Sequence, residues 1–210
     1  MKEVLKLTAD LRTKADTYTH EIRALLGGAP QDLPSGVFGM IFNNLTLSLE
    51  LISYYDNVWK AASTTNATSV EEARKQNGER ILLIQKMTFI SILSSLEFCF
   101  KNYVHTFPAK IGDCRNARGK VYLLDIINRS KSTGIVSPDN LELWEGLIHL
   151  RNYLVHNNGV AQETKTYRYP NSQLVLVDGQ MTQGNLKLFP HLIDWLLDAS
   201  KNWVGEMHKK

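Results

Sequence analysis

Residues 81–104 are apolar almost all the way round a helix of 3.6 residues per turn, and such a rod is stable only when other elements pack on every side of it. The chain must therefore supply enough further helix to wrap this one. The remaining punctuation allows it. A first helix reads from about residue 2 to Leu26 and stops at Gly27-Gly28, with Pro30 and Pro34 holding a loop open. Ser35 is positioned to cap a second helix ending near Ala62, closed by Thr64-Thr65-Asn66. Ser69 and Glu72 have capping-box spacing for the long helix that carries the apolar rod; Asn77-Gly78 marks a possible kink, and Pro108 and Gly112 mark its end.

A fourth helix is predicted from about Ala117 to Ser130, and a fifth from Ser137-Pro138 to His156, where Asn157-Asn158-Gly159 accept a left-handed cap. The period then changes. Residues 173–177 and 185–189 read as the strands of a short hairpin around Asp178-Gly179 and Gly184, and Pro190 opens a last helix. The expected fold is all-α: an antiparallel helical bundle with a short C-terminal β-hairpin and a terminal helix. It forms one domain over residues 1–210, with its core at 69–160, the hairpin at 172–189 and the final helix at 190–208. Trp144, Trp195 and Trp203, set among leucines, belong to the core or to an interface.

Composition excludes some classes. At 210 residues and 43% hydrophobic the chain can build a core without staples, and Cys99 and Cys114 have no metal-ligand spacing. Residues 1–10 are charged and amphipathic rather than leader-like, and the most apolar run, 87–96, is shorter than the roughly 20 residues of a membrane span. A cytoplasmic protein without a membrane partner is expected. The net charge of +3 permits nucleic acid without demanding it. The excess is local: Lys110, Arg115, Arg118, Lys120, Arg129 and Lys131 stand against Asp113 and Asp125. Arg115, Arg118 and Lys120 are candidate RNA contacts from this stretch. So are Lys165 and Arg168, which interleave with Tyr167 and Tyr169 in a run that can clamp a single strand or simply lead into a strand of its own.

The fifth helix carries the sharpest anomaly. Projected at roughly 100° per residue, Leu143, Trp144, Leu147, Ile148, Leu150, Leu154 and Val155 form an apolar arc, while Glu145, His149, Asn152 and His156 share the opposite face. Arg151 falls inside the apolar arc, where a guanidinium is costly unless paired. Glu97 is the matching oddity on the apolar rod, so the two are expected to meet across the bundle; the alternative is that each reaches solvent separately. Glu145 and His149, four apart, have no companion carboxylate–histidine pair, and no metal or other cofactor is expected.

Residues 150–157, Leu-Arg-Asn-Tyr-Leu-Val-His-Asn, resemble the signature of the HEPN superfamily: an Arg followed by a polar residue, a short spacer and a His near a helix end. The resemblance extends to the preceding buried helix with its acidic Glu97, and covers about residues 80–160. It implies a metal-independent endoribonuclease acting on single-stranded RNA by 2′-hydroxyl attack, of the toxin or antiviral-defence type. Arg151, Asn152 and His156 would be catalytic and Glu97 supporting; the partners would be RNA, a second copy of the chain and a cognate antitoxin protein.

The chemistry is sound in itself: an imidazole exchanges protons near neutral pH and a guanidinium matches phosphate oxygens in a bidentate fork. Asn152 is placed to orient the imidazole or to bind a phosphate oxygen. One imidazole cannot serve as acid and base at once, and Arg151 and His156 project roughly 140° apart. Either the long Arg151 side chain reaches around the helix end or a two-fold partner places a second motif opposite the first; the resemblance favours the dimer, and His149 is an alternative second imidazole. Two other readings stand beside this one: a non-catalytic HEPN-like module that binds nucleotide, RNA or a protein, and an interaction bundle of unrelated ancestry.

Overall fold

The computed structural model describes residues 1–27, 33–62, 67–182 and 184–209. Among them the chain forms α1 (Lys2–Leu25), α2 (Leu33–Ala62), α3 (Ala67–Thr106), α4 (Pro108–Ile111), α5 (Leu123–Ser132), α6 (Pro138–His156), β1 (Lys165–Tyr169), β2 (Ser172–Leu176) and α7 (Leu188–His208). It is an all-α bundle with a short hairpin near the C-terminus.

The first three helices run antiparallel, as shown by Tyr18 meeting Phe38, and Asn44 and Tyr55 meeting Ser91 and Arg80. The last helix runs parallel to α1 and α3: Lys14 and Glu21 of α1 pair with Asp194 and Lys201, and Phe89 and Phe100 of α3 pack on Phe189 and Trp203. The intervening α4–α6 and the hairpin return the chain to the end of the bundle from which α3 set out. The centre of α3 is the core of the molecule, with Phe89, Ile92, Leu96 and Phe100 at 1% exposure or less. Trp144 and Trp203 are fully buried around it.

Local chemistry explains where the elements begin. Ser137 Oγ accepts the Asn140 N–H at 3.3 Å and Pro138 occupies the first turn of α6; Asn158 and Gly159 close it with φ of 52° and 85°. Three expectations need correction. The fourth helix starts at Leu123, not near Ala117, because Asn116 Oδ1 takes the N–H groups of Arg118 and Lys120 and Gly119 adopts φ of 72°, folding residues 116–120 into a turn. Asn77-Gly78 does not interrupt α3, which is continuous and begins at Ala67. Ser35 lies inside α2 rather than before it. Pro30 and the residues at 64–66 lie outside the described residues, as does the Ser69 side chain.

The hairpin is also displaced. The partner of residues 172–176 is the basic–aromatic run Lys165–Tyr169, in register Lys165↔Leu176 to Tyr169↔Ser172 around Pro170-Asn171. Strand alternation turns Tyr167, Tyr169, Leu174 and Leu176 into the core and leaves Arg168 and Val175 outside. Residues 185–189 form no strand; Leu188 and Phe189 are apolar because the first turn of α7 is buried. The hairpin sits on α6 at Gly146, where a Cβ would lie 2.7 Å from Tyr167 Cγ and 2.8 Å from Tyr169 Oη. Glycine is needed there for that approach. Tyr169 Oη donates to the Leu143 carbonyl at 2.7 Å, which fixes the strand to the helix.

The outer face of the α2–α3 pair is not polar. Met40, Leu47, Leu51, Tyr54 and Val58 of α2 and Leu83, Met87 and Phe98 of α3 are all exposed. For the same reason Leu33–Val58 and Glu71–Thr106 are by length and composition apolar enough to cross a membrane, with mean hydropathy of 1.2 and 1.5. The most apolar run, residues 87–96, understates them.

Candidate functional site

Arg151 lies in the penultimate turn of α6, facing α3. Its Nη1 donates to Asn152 Oδ1 at 3.1 Å and its Nη2 to Ser94 Oγ at 3.3 Å. Glu97 Oε2 lies 3.9 Å from Nη2, a loose ion pair, while Glu97 Oε1 holds Lys101 Nζ at 2.6 Å. The side chains of Arg151 and Glu97 are 24% and 18% exposed, so both charges are partly removed from water. The buried Nε–H of Arg151 has no acceptor. Arg151, Asn152 and Glu97 line a cavity of about 330 Å³, together with Leu93 and Ile148 and with Tyr122 and Asp125 from the start of α5.

His156, the last residue of α6, is exposed and does not line this cavity. Within one chain, then, the guanidinium and the imidazole face different ways. Asn152 is engaged with the guanidinium rather than with the imidazole.

His149 occupies a third environment. Its Nδ1 meets Glu163 Oε1 at 2.6 Å, and Tyr167 Oη donates to the same carboxylate oxygen at 3.2 Å. Burial works to raise the Glu163 carboxyl, but the bond and charge of His149, with help from Tyr167, hold it below the usual carboxylate range. Burial and the adjacent Glu163 charge push the Tyr167 phenol up, so it stays a donor. A depressed carboxyl stabilises the fold above its ordinary value of 4.5 and ceases to as pH falls through its lowered value. Carboxyl carbon NMR of Glu163 should therefore give a midpoint below 4.5, moving upward in His149→Ala. An unchanged midpoint in that variant would show that the histidine is not the cause.

The candidate RNA contacts divide. Arg118 and Lys120 are exposed in the loop that leads to Tyr122, and neither lines the Arg151 cavity. Arg115 is engaged by Asp113, with Nε 3.0 Å from both carboxylate oxygens and Nη2 2.8 Å from one. Those bonds hold Asp113 below the usual carboxylate range. Lys165 lies over the Tyr167 ring at 4.7 Å and 3.9 Å from both Glu142 and Glu145. Arg168 points outward from β1, whereas the tyrosines beside it are buried and unable to stack on RNA.

Sequence reasoning missed Lys101, Ser94, Tyr122 and Glu163. Lys101 follows Glu97 by one helical turn and was open to an i, i+4 argument; the other three depend on how distant elements meet. Among the described residues no three His, Cys, Asp or Glu side chains are grouped to hold a metal ion. Comparison of the chain with family models, curated proteins and solved structures gives no match in any of the three, so the reading of this site rests on its own chemistry.

Proposed function

We propose that the chain is a HEPN-type, metal-independent endoribonuclease that cleaves single-stranded RNA and acts as a homodimer in a toxin or antiviral-defence role. The observation that carries this reading is Arg151: a guanidinium retained on the apolar side of α6, opening on a cavity, five residues before an exposed imidazole. In the reaction an imidazole takes the 2′-hydroxyl proton as that oxygen attacks phosphorus. The bond to the 5′-oxygen breaks and the leaving oxygen is protonated, giving a 2′,3′-cyclic phosphate and a 5′-hydroxyl end. Arg151 offsets charge on the equatorial oxygens.

The opposed directions of Arg151 and His156 within one chain favour a second copy supplying the missing imidazole. The exposed row Met40, Leu47, Leu51, Tyr54 and Val58 has the spacing of a helix–helix seam. On α3, Phe98 is also exposed, one residue from the Glu97 that lines the cavity. Sedimentation should accordingly give a species of twice the chain mass.

The decisive assay incubates the protein with single-stranded RNA and EDTA. Cleavage to cyclic-phosphate ends in the wild type, absent in His156→Ala, is the expected result, together with toxicity on expression that Arg151→Ala relieves. RNA bound but intact would favour the non-catalytic reading, which has its own support in the occupation of Arg151 by Asn152, Ser94 and Glu97.

A further inference from the structure

We infer that Tyr122 is a stacking platform for one unpaired nucleobase of a single-stranded RNA whose phosphate meets Arg151. This rests on the nucleic-acid reading of the Arg151 cavity and adds to it the form of ligand that the cavity takes. Tyr122 is 48% exposed although it lines the cavity beside Arg151 and Asn152. The cavity is walled by Leu93, Leu123, Leu124 and Ile148 as well as by its charged groups, and the half-exposed Tyr122 ring extends that apolar wall to the surface.

The backbone that carries the ring is also held in place. Tyr122 is the residue before α5, in extended conformation with φ of −114° and ψ of 164°, and the Asp125 carboxylate accepts its N–H at 2.9 Å. That box fixes the backbone at a helix start, so a base stacking on the ring would not have to order a loop. Lys101 Nζ lies 5.5 Å from the ring centroid.

Charge is the obvious objection, since Glu97 and Asp125 share the cavity with a would-be phosphate. Both are already engaged. Glu97 sits between Lys101 at 2.6 Å and Arg151 at 3.9 Å, and Asp125 is turned onto the Tyr122 amide. Arg118 and Lys120, four and two residues before Tyr122, are exposed on the loop that leads to it. Arg151 and Lys101 match Glu97 and Asp125 in number, so the cavity carries no net negative charge.

Stacking on a side chain requires a base that has left its own stack, so the platform selects single strands over duplex. At about 330 Å³ the cavity admits a single nucleotide unit rather than a helix.

The test is fluorescence anisotropy with a labelled 2′-O-methyl oligoribonucleotide, which lacks the attacking hydroxyl and remains intact whatever the enzyme does. Tyr122→Ala and Tyr122→Leu should each weaken binding by roughly 5- to 150-fold, and Tyr122→Phe by no more than about twofold, because the ring and not the hydroxyl is used. A duplex of the same sequence should bind more weakly and ignore the substitutions. Circular dichroism melting identifies any variant that has lost its fold, and Tyr122→Leu serves if Tyr122→Ala has. Wild-type affinity in both non-aromatic variants, or no saturable binding by the wild-type protein, overturns the platform. Parallel cleavage of ordinary RNA separates the two readings. Cleavage with unchanged KM in Tyr122→Ala sinks the platform and leaves the nuclease, whereas Tyr122-dependent binding without cleavage does the reverse.

Discussion

Arg151→Ala is expected to slow single-turnover RNA cleavage by roughly a thousandfold or more, the range found when a cation or donor is removed from a transition state that is gathering negative charge. The loss should fall mainly on kcat. The guanidinium meets ground-state phosphate too, but its fork is worth most when charge accumulates on the equatorial oxygens. Folding should survive. Removing a partner from a buried ion pair is severe when it strands a charge, yet Glu97 keeps Lys101 at 2.6 Å, and Ser94 and Asn152 lie where neither loses its only access to water. The melting temperature should shift by only a few degrees. Arg151→Lys keeps the charge but loses the planar fork and should recover part of the rate. A wild-type rate in Arg151→Ala, measured in EDTA on correctly folded protein, would remove Arg151 from the chemistry and with it the nuclease reading.

The sequence made the anomaly visible but not its surroundings. Arg151 and Glu97 stand out because helical projection assigns each to an apolar side, and projection needs only the residue order. The boundaries of α6 were equally legible, because Ser137-Pro138 and Asn157-Asn158-Gly159 act on their own backbone. The hairpin was not. Lys165–Tyr169 alternates as a strand should, but its lysine and arginine drew it toward a surface reading, while residues 185–189 looked like a strand and are the buried start of α7. What decides between them is the recess at Gly146 that receives Tyr167 and Tyr169. That recess exists only once α6 and the hairpin have met. The same holds for His149 and Glu163, 14 residues apart, whose contact depends on the course of the loop after α6. Charge alone singles out Arg118 and Lys120 in the sequence; the Asn116 turn that carries them also shortens α5 and leaves Tyr122 as the residue that caps it.

Trp203→Ala is expected to be the most damaging substitution to the fold. The indole is 1% exposed, stacks on Phe100 with centroids 3.9 Å apart and planes at 14°, and reaches Tyr103 at 5.8 Å. Its Nε1–H donates to Ser130 Oγ at 2.9 Å, and that hydroxyl donates in turn to the Ile126 carbonyl at 2.7 Å. One side chain thus joins α7, α3 and α5. Truncating a buried tryptophan costs about 3–5 kcal/mol, a large fraction of the about 5–15 kcal/mol that holds a domain together. For a chain of this size the melting temperature should fall by roughly 6–20 °C. Trp203→Phe keeps a ring against Phe100 and gives up mainly the hydrogen bond, so its cost should be nearer 1 kcal/mol plus that of the smaller ring. Urea unfolding of both variants measures the difference, and a loss below about 1 kcal/mol in Trp203→Ala would mean that the neighbouring rings close the space without it. The same variant separates fold from chemistry. Trp203, Phe100 and Trp144 line no part of the Arg151 cavity, so the truncation acts on the site chiefly by populating unfolded molecules. Well below its melting temperature, Trp203→Ala should cleave RNA at nearly the wild-type rate per folded molecule, where Arg151→Ala does not.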